Sequence, residues 1–287
     1  MTPGAWAHQL QHCRTTKKEM ASNCKKSAND IDTIDNDAVL YMYTTLAQLV
    51  NGYDEYGNER FKKFSEREFR SDFSHEVVKG LCHGKYRTRW CEVSMMKGAT
   101  DLTTYQEMLQ EIHPRTIIEL GTWLGASAAW FGDLAKIFGL ECHVYSMDIT
   151  NPDAVDKRCH RDNVSFLHGD CNKIEETFTP AMLKGLPHPW IVIDDAHVNV
   201  IPVLEYFTAH MLPGDYLIKE DVSSSQPRKP GMGLIKEMGW EPTQSSNPEL
   251  LVKFMERNAD NYRVDRYYCD MYGYNGNNNW NAYLKRV

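Results

Sequence analysis

From about residue 100 onward, short apolar runs alternate with segments long enough to be helices. The spacing predicts strands near 115–119, 142–148, 164–168, 189–193 and 215–220, with helices near 101–112, 124–138, 172–184 and 199–211. Such alternation builds a mostly parallel sheet with helices on both faces. Pro213-Gly214 reads as the turn that launches the fifth of these strands. Tyr262 to Cys269 and Asn281 to Arg286 flank an Asn- and Gly-rich link, Tyr272 to Asn279, which predicts a closing antiparallel pair at the sheet edge. Upstream the pattern is helical and irregular, polar from Gln9 to Asp37 and apolar-periodic from Ala38 to Val50. Its aromatic residues, Tyr53, Tyr56, Phe61, Phe64, Phe69 and Phe73, read as packing, with a lid or a subunit contact as the functional alternative. Residues 1–95 are expected to form a helical extension and 96–287 the domain that carries the chemistry.

A parallel sheet gathers its strand ends along one edge, where ligands bind. Two apolar runs here end in acidic residues: Ile191-Val192-Ile193-Asp194-Asp195-Ala196-His197 and Tyr216-Leu217-Ile218-Lys219-Glu220-Asp221. Several carboxylates and one imidazole would then share a pocket. That set suits an oxygen-preferring divalent cation beside a general base, with Asp194, Glu220 and Asp221 as ligands and His197 as base. The absence of cysteine from it favours Mg2+, with Mn2+ or Ca2+ as alternatives, over Zn2+. A cation at this place would lower the pKa of an acceptor hydroxyl, and the ordinary imidazole pKa of ~6.5 suits proton removal near neutrality. Asp195 is open between capping the next helix, touching cofactor and adding a metal oxygen. The competing structural role is that Asp194 and Asp195 cap that helix while Glu220-Asp221 are turn residues. Lys97 and Asp101 precede the first strand and would reach the cofactor end of the cleft.

After the first strand, Gly121 stands where a sharp turn must bring the backbone close to a ligand. In a dinucleotide fingerprint the second glycine would fall at Trp123, whose indole would obstruct a pyrophosphate, so a nicotinamide cofactor is the lesser alternative. Glu119-x-Gly121-x-x-x-Gly125 instead resembles the first motif of S-adenosylmethionine methyltransferases. Asp148 ends the run Val144 to Met147, where a carboxylate can accept from both ribose hydroxyls, and Asp170 follows the third strand, within reach of an adenine amino group.

Composition narrows the partners. The 287 residues are 42% hydrophobic and 25% charged, ordinary for a globular chain with a full core. A formal charge of -7 argues against nucleic acid or an anionic membrane surface. The eight cysteines form no C-x-x-C pair, so a structural zinc site is not expected. No apolar stretch has the length of a membrane span and the first thirty residues lack a signal-peptide core, so a cytoplasmic protein is expected.

Lys97 to Asp101, Tyr105-Gln106-Glu107, Ile117 to Gly121 and Gly125-Ala126-Ser127 together resemble the cephalosporin hydroxylase family. So do Asp148-Ile149, Asp194-x-x-His197, Val203-Leu204-Glu205, Pro213 to Leu217 with Glu220-Asp221, and Tyr283 to Arg286. That family is similar to the macrolide sugar O-methyltransferases of the mycinamicin type. The resemblance covers roughly residues 90–287 and departs from the family at Asp195 and Trp123-Leu124. It implies a class I methyltransferase fold, a Rossmann-like α/β sheet of seven mostly parallel strands. It also implies S-adenosylmethionine bound by Glu119, Gly121, Thr122, Gly125, Ser127, Asp148, Asp170 and Asp194, with Mg2+ held by Asp194, Glu220 and Asp221 and His197 as base. The expected reaction is O-methylation of a hydroxylated small molecule of natural-product type, a sugar or catechol-like diol, by a homo-oligomer. N-methylation on the same fold and a non-catalytic binding protein are the alternatives.

Overall fold

The structure, a computed structural model, describes residues 36–51, 59–223 and 247–287. Tyr53, Tyr56 and the cysteines Cys13 and Cys24 lie outside the described residues. Two compact units are present, Met1–Glu55 and Tyr56–Val287. In the first, helix α1 (Asn36–Asn51) covers the apolar-periodic stretch. It exposes Leu40, Tyr41, Met42, Tyr43 and Leu46. No helix among the described residues is long and apolar enough to cross a membrane.

The second unit is built on one sheet. Strands β1 (Phe61–Lys62), β4 (Thr116–Leu120), β5 (His143–Asp148), β6 (Val164–His168), β7 (Trp190–Asp194), β8 (Tyr216–Lys219), β9 (Tyr262–Asp265) and β10 (Tyr283–Arg286) lie in the order β1-β9-β10-β8-β7-β4-β5-β6. The five from β6 to β8 pair in parallel, and β10, β9 and β1 close the other edge antiparallel. The sequence predicts seven strands and the sheet has eight. The extra one is the two-residue β1, whose Phe61 and Lys62 pair with Asp265 and Val264. So short a run has no periodicity to reveal it. A second, two-stranded sheet joins β2 (Arg89–Trp90) to β3 (Val93–Ser94).

Burial follows the sheet's logic. Ile117, Ile118, Ile191, Val192, Ile193, Leu217 and Ile218 are all inaccessible, as expected for central strands covered on both faces. Helix α2 (His75–Gly84) begins on Ser74, whose side chain accepts from Val77 N. Helix α3 (Ala99–Ile112) ends on left-handed His113, just before Pro114. Helix α4 (Ala126–Ile137) follows β4 and carries Trp130 and Phe131 into the core. The single helix predicted over 172–184 is two, α5 (Ile174–Thr177) and α6 (Pro180–Gly185). Pro180 has no N–H to continue a helix, and Thr179 caps the new one by accepting from Met182 N. Helix α7 (Val200–Thr208) follows β7 and α8 (Asn247–Asn258) precedes β9. The expected strand over 262–269 stops at Asp265, which caps the one-turn helix α9 (Arg266–Cys269).

The link before β10 is no exposed turn: Asn275, Asn279 and Asn281 are buried. Each asparagine offers both a donor and an acceptor, so a loop of them can go inside with its backbone groups satisfied. Asn279 Oδ1 accepts from Asp221 N at 3.0 Å, and Asn278 O accepts from Ser223 N at 2.7 Å. The chain just after β8 is thereby held from a segment more than fifty residues away.

Candidate active site

The parallel register fixes which residues meet. Leu120 aligns with Met147 and Asp194, and Asp194 with Lys219, so the residues that follow β4, β5, β7 and β8 emerge side by side. They border a cavity of about 680 Å3.

Five of the expected cofactor residues, Gly121, Thr122, Ser127, Asp148 and Asp170, line this cavity. Gly121 has a φ of +103°, and a Cβ there would come within 3.0 Å of the Asp195 carbonyl carbon. The loop after β4 can pass the loop after β7 only without a side chain. Glu119 lies buried behind the loop. Its Oε2 accepts from Ser146 Oγ at 2.6 Å, and Ser146 Oγ lies 2.7 Å from Thr122 Oγ1. Glu119 Oε1 is buried with no hydrogen-bond partner among the described residues. Burial pushes the Glu119 carboxyl up, against the pull of Lys97 and a hydrogen bond with Ser127. Asp148 Oδ2 accepts from Trp123 N at 2.9 Å, which fixes the turn between two cavity walls. Gly125 starts α4 and does not line the cavity; a Cβ there would come within 2.6 Å of Val155.

The acidic cluster differs from the expected one in two members: Asp195 stands in place of Asp194, and Glu220, bound to Lys97 and Tyr105, lies outside the group that faces the cavity. Asp194 is the last residue of β7, with its carboxylate turned into the interior 3.6 Å from Lys219 Nζ. The carboxylate that faces the cavity is Asp195. It stands 3.5 Å from His197 Nε2, which is also 3.5 Å from Asp221 Oδ2. Asp195, His197 and Asp221 each bring one ligand atom within 4.8 Å of the others. Strand alternation explains the exchange, because adjacent residues at a strand end point to opposite sides. The sequence left Asp195 open among three roles; the following helix starts on Asn199 instead, and Asp195 lines the cavity.

Two buried ammonium groups hold these carboxylates. Lys97 Nζ is 2.7 Å from both Asp195 Oδ2 and Glu220 Oε1, and Lys85 Nζ is 2.8 Å from Asp221 Oδ1. Tyr105 OH donates to Glu220 at 2.5 Å. Burial and the neighbouring Asp195 carboxylate push Glu220 up to about 8, against the pull of Lys97. For Asp221, burial pushes upward, but the Lys85 charge and the contact with His197 outweigh it and hold the carboxyl far below its ordinary range. Asp195 is likewise held low, as Lys97 outweighs burial. Behind the imidazole, Lys219 Nζ lies 2.6 Å from His197 Nδ1.

Trp123, His197 and Asp221 have φ of 47°, 58° and 57°. For residues with a side chain this left-handed region costs of order 1 kcal/mol or more each, and such strain gathers at functional sites. Of the other residues weighed beforehand, Lys97 joins the cluster, whereas Asp101 binds Asn278 through both carboxylate oxygens. Lys85, Lys219 and Tyr105 carry no sequence expectation. Lys219 did leave a signal, a cation inside an apolar run. Lys85 left none, lying 136 residues from its partner Asp221.

The arrangement can bind a hydroxylated molecule against a hard, oxygen-rich corner and a second ligand against the β4–β5–β6 loops. The family model described as Rhamnosyl O-methyltransferase/CmcI matches residues 82–287. A rhamnosyl O-methyltransferase of Mycobacterium tuberculosis is 27% identical over 154 residues, 51% of this chain and 62% of the relative. The chain thus spans about three fifths of the length of the curated relatives it matches. An apo structure of CmcI superposes with a TM-score of 0.54 at 28% identity, covering 70% of this chain and 77% of CmcI. A CmcI structure with Mg and SAM gives 0.51 at 27% identity and the same coverage. The fold is the class I, Rossmann-like methyltransferase fold that the family resemblance implies.

Proposed function

This chain belongs to the Rhamnosyl O-methyltransferase/CmcI family, whose model it matches over residues 82–287, and from that membership we propose that it moves a methyl group from S-adenosylmethionine to a hydroxyl of a sugar-like small molecule. The observation that carries the reading is convergence. Asp195, His197 and Asp221, from the ends of two strands, meet at a cavity whose other wall is Gly121, Thr122 and Asp148.

S-adenosylmethionine fits that wall. Gly121 leaves the backbone bare, the cavity is large enough for a nucleoside-sized ligand, and Asp148 and Asp170 border it. The bound donor supplies an electrophilic methyl carbon. An oxygen-preferring cation fits the opposite corner, where Asp195 and Asp221 would hold Mg2+ with Glu220 beside them. Bound there, it would lower the pKa of the acceptor hydroxyl. The protein's own task is to hold the acceptor oxygen and the methyl carbon close and in line. Lys97 and Lys85 fix the carboxylates for it, and the asparagine-rich link fixes the backbone of Asp221.

The test is a panel of rhamnosyl and other deoxyhexosyl glycosides incubated with methyl-labelled S-adenosylmethionine, with the labelled oxygen mapped by mass spectrometry. A single methylated hydroxyl on one sugar class is expected. Label appearing only on amine acceptors, or on none while the donor binds, would overturn the reading.

A further inference from the structure

We propose that the indole of Trp123 is the group that reads the positive charge of the donor's sulfonium, so that the site holds S-adenosylmethionine in preference to its demethylated product; the proposal rests on the methyl-transfer reading above. Trp123 is one of the places where the sequence departs from the family it resembles. It borders the cavity beside Thr122 and Asp148 and is 47% exposed. Its ring makes no hydrogen bond and no aromatic contact among the described residues.

The backbone there sits at a φ of +47°, a conformation that glycine enters freely and a bulky residue does not. Two hydrogen bonds hold the turn: Trp123 N donates to Asp148 Oδ2 at 2.9 Å, and Gly125 N to Thr122 O at 2.9 Å. Glycine would form this turn at less cost. A large ring carried at such a position and packed against no other ring is not explained by folding, and strain of this kind persists where a site makes use of it.

The ligand chemistry follows from what the donor wall can offer. A sulfonium bears a full positive charge but no N–H or O–H, so a hydrogen-bond acceptor finds nothing on it to hold. A carboxylate in contact with it would recognise the charge, yet would be a nucleophile facing the reactive methyl. An aromatic face attracts the cation through its quadrupole without that hazard, and indole does so best. Trp123 and His197 are the two rings that border the cavity among the described residues, and His197 stands with the carboxylates opposite the donor wall. Trp123 is therefore the ring on the donor side. Once the methyl has left, the C–S bonding pair stays on sulfur and the product is a neutral thioether. The attraction disappears with the charge.

Calorimetric titration of the full chain with S-adenosylmethionine and with S-adenosylhomocysteine, no acceptor present, tests this. Trp123→Leu should weaken donor binding by about tenfold and product binding by less than about twofold. Trp123→Phe, which keeps a ring face, should retain donor binding to within about threefold. Trp123→Gly relieves the backbone, so it should fold at least as well as the unaltered protein and show the same donor-selective loss; it decides the matter if the leucine variant fails to fold. Equal losses for the two ligands would overturn the proposal, as would unchanged donor affinity with a raised KM for the acceptor. Binding of neither ligand by the unaltered protein would overturn the methyl-transfer reading and this assignment with it, whereas equal losses strike the assignment alone.

Discussion

Two buried charge clusters in this molecule use the same kinds of groups to opposite ends. At one, Arg67 binds Asp270 through both carboxylate oxygens at 2.6 and 2.8 Å and reaches Asn281 Oδ1 at 2.6 Å. At the other, Lys97 and Lys85 grip Asp195, Glu220 and Asp221. A guanidinium matches a carboxylate fork for fork in one plane, whereas an ammonium is a point charge, as where Lys85 Nζ lies 2.8 and 2.9 Å from the two oxygens of Asp221. The arginine cluster ties the asparagine-rich link to the segment before α2. The lysine cluster is open on the cavity side, on a backbone strained at His197 and Asp221. A buried ion pair is therefore no mark of function by itself; the shape of the cation and what its partner oxygens still face tell the two apart.

Breaking the closed cluster should give the largest effect. Arg67→Met deprives a buried carboxylate of its bidentate partner and should cost about 3–5 kcal/mol of stability, read as a lower urea midpoint. S-adenosylmethionine affinity of the folded fraction should be unchanged. In the open cluster the consequence reverses. Asp195→Asn should leave the urea midpoint within about 1 kcal/mol of the original while kcat/KM falls by about 100-fold. Asp194→Asn should show the opposite pattern, a stability loss through Lys219 that exceeds its effect on donor binding.

A smaller effect separates a half-exposed pair from both clusters. Burial pushes the Glu111 carboxyl up, but hydrogen bonds from Arg60 and Tyr268 outweigh it and hold it below its ordinary value. With the folded pKa lower than the unfolded one, its contribution is complete above the ordinary glutamate range of ~4.3 and is lost as pH falls through the depressed value. Between about pH 6 and about pH 3 the urea midpoint should fall more in the unaltered protein than in Glu111→Gln. The difference should be under about 1 kcal/mol, because the Glu111 side chain is 45% exposed and solvent screens the pair.

Much of this was legible in the sequence, for physical reasons that differ by element. Ile191-Val192-Ile193 and Leu217-Ile218 announce central parallel strands because burial on both faces removes the polar alternation. Gly121 and the acidic strand ends announce the ligand edge because parallel strands must all finish there. A strand's last residue was harder: pattern alone does not say whether Asp194 or Asp195 turns outward, since a shift of one position reverses the face. Lys85 and Tyr105 were beyond reach because their partners are set by tertiary contacts across more than a hundred residues. The Asn- and Gly-rich link was legible only as a connection between edge strands, because composition does not reveal that a polar loop can satisfy itself inside.

The central claim is that carboxylates and donor share one site, and it is tested most directly by following label from methyl-labelled S-adenosylmethionine onto a rhamnosyl glycoside, with Mg2+, with EDTA, and with EDTA followed by excess Mg2+. Transfer that EDTA abolishes and Mg2+ restores is the predicted result. Undiminished transfer in EDTA would contradict the account, because Asp195 and Asp221 would then have no cation to hold.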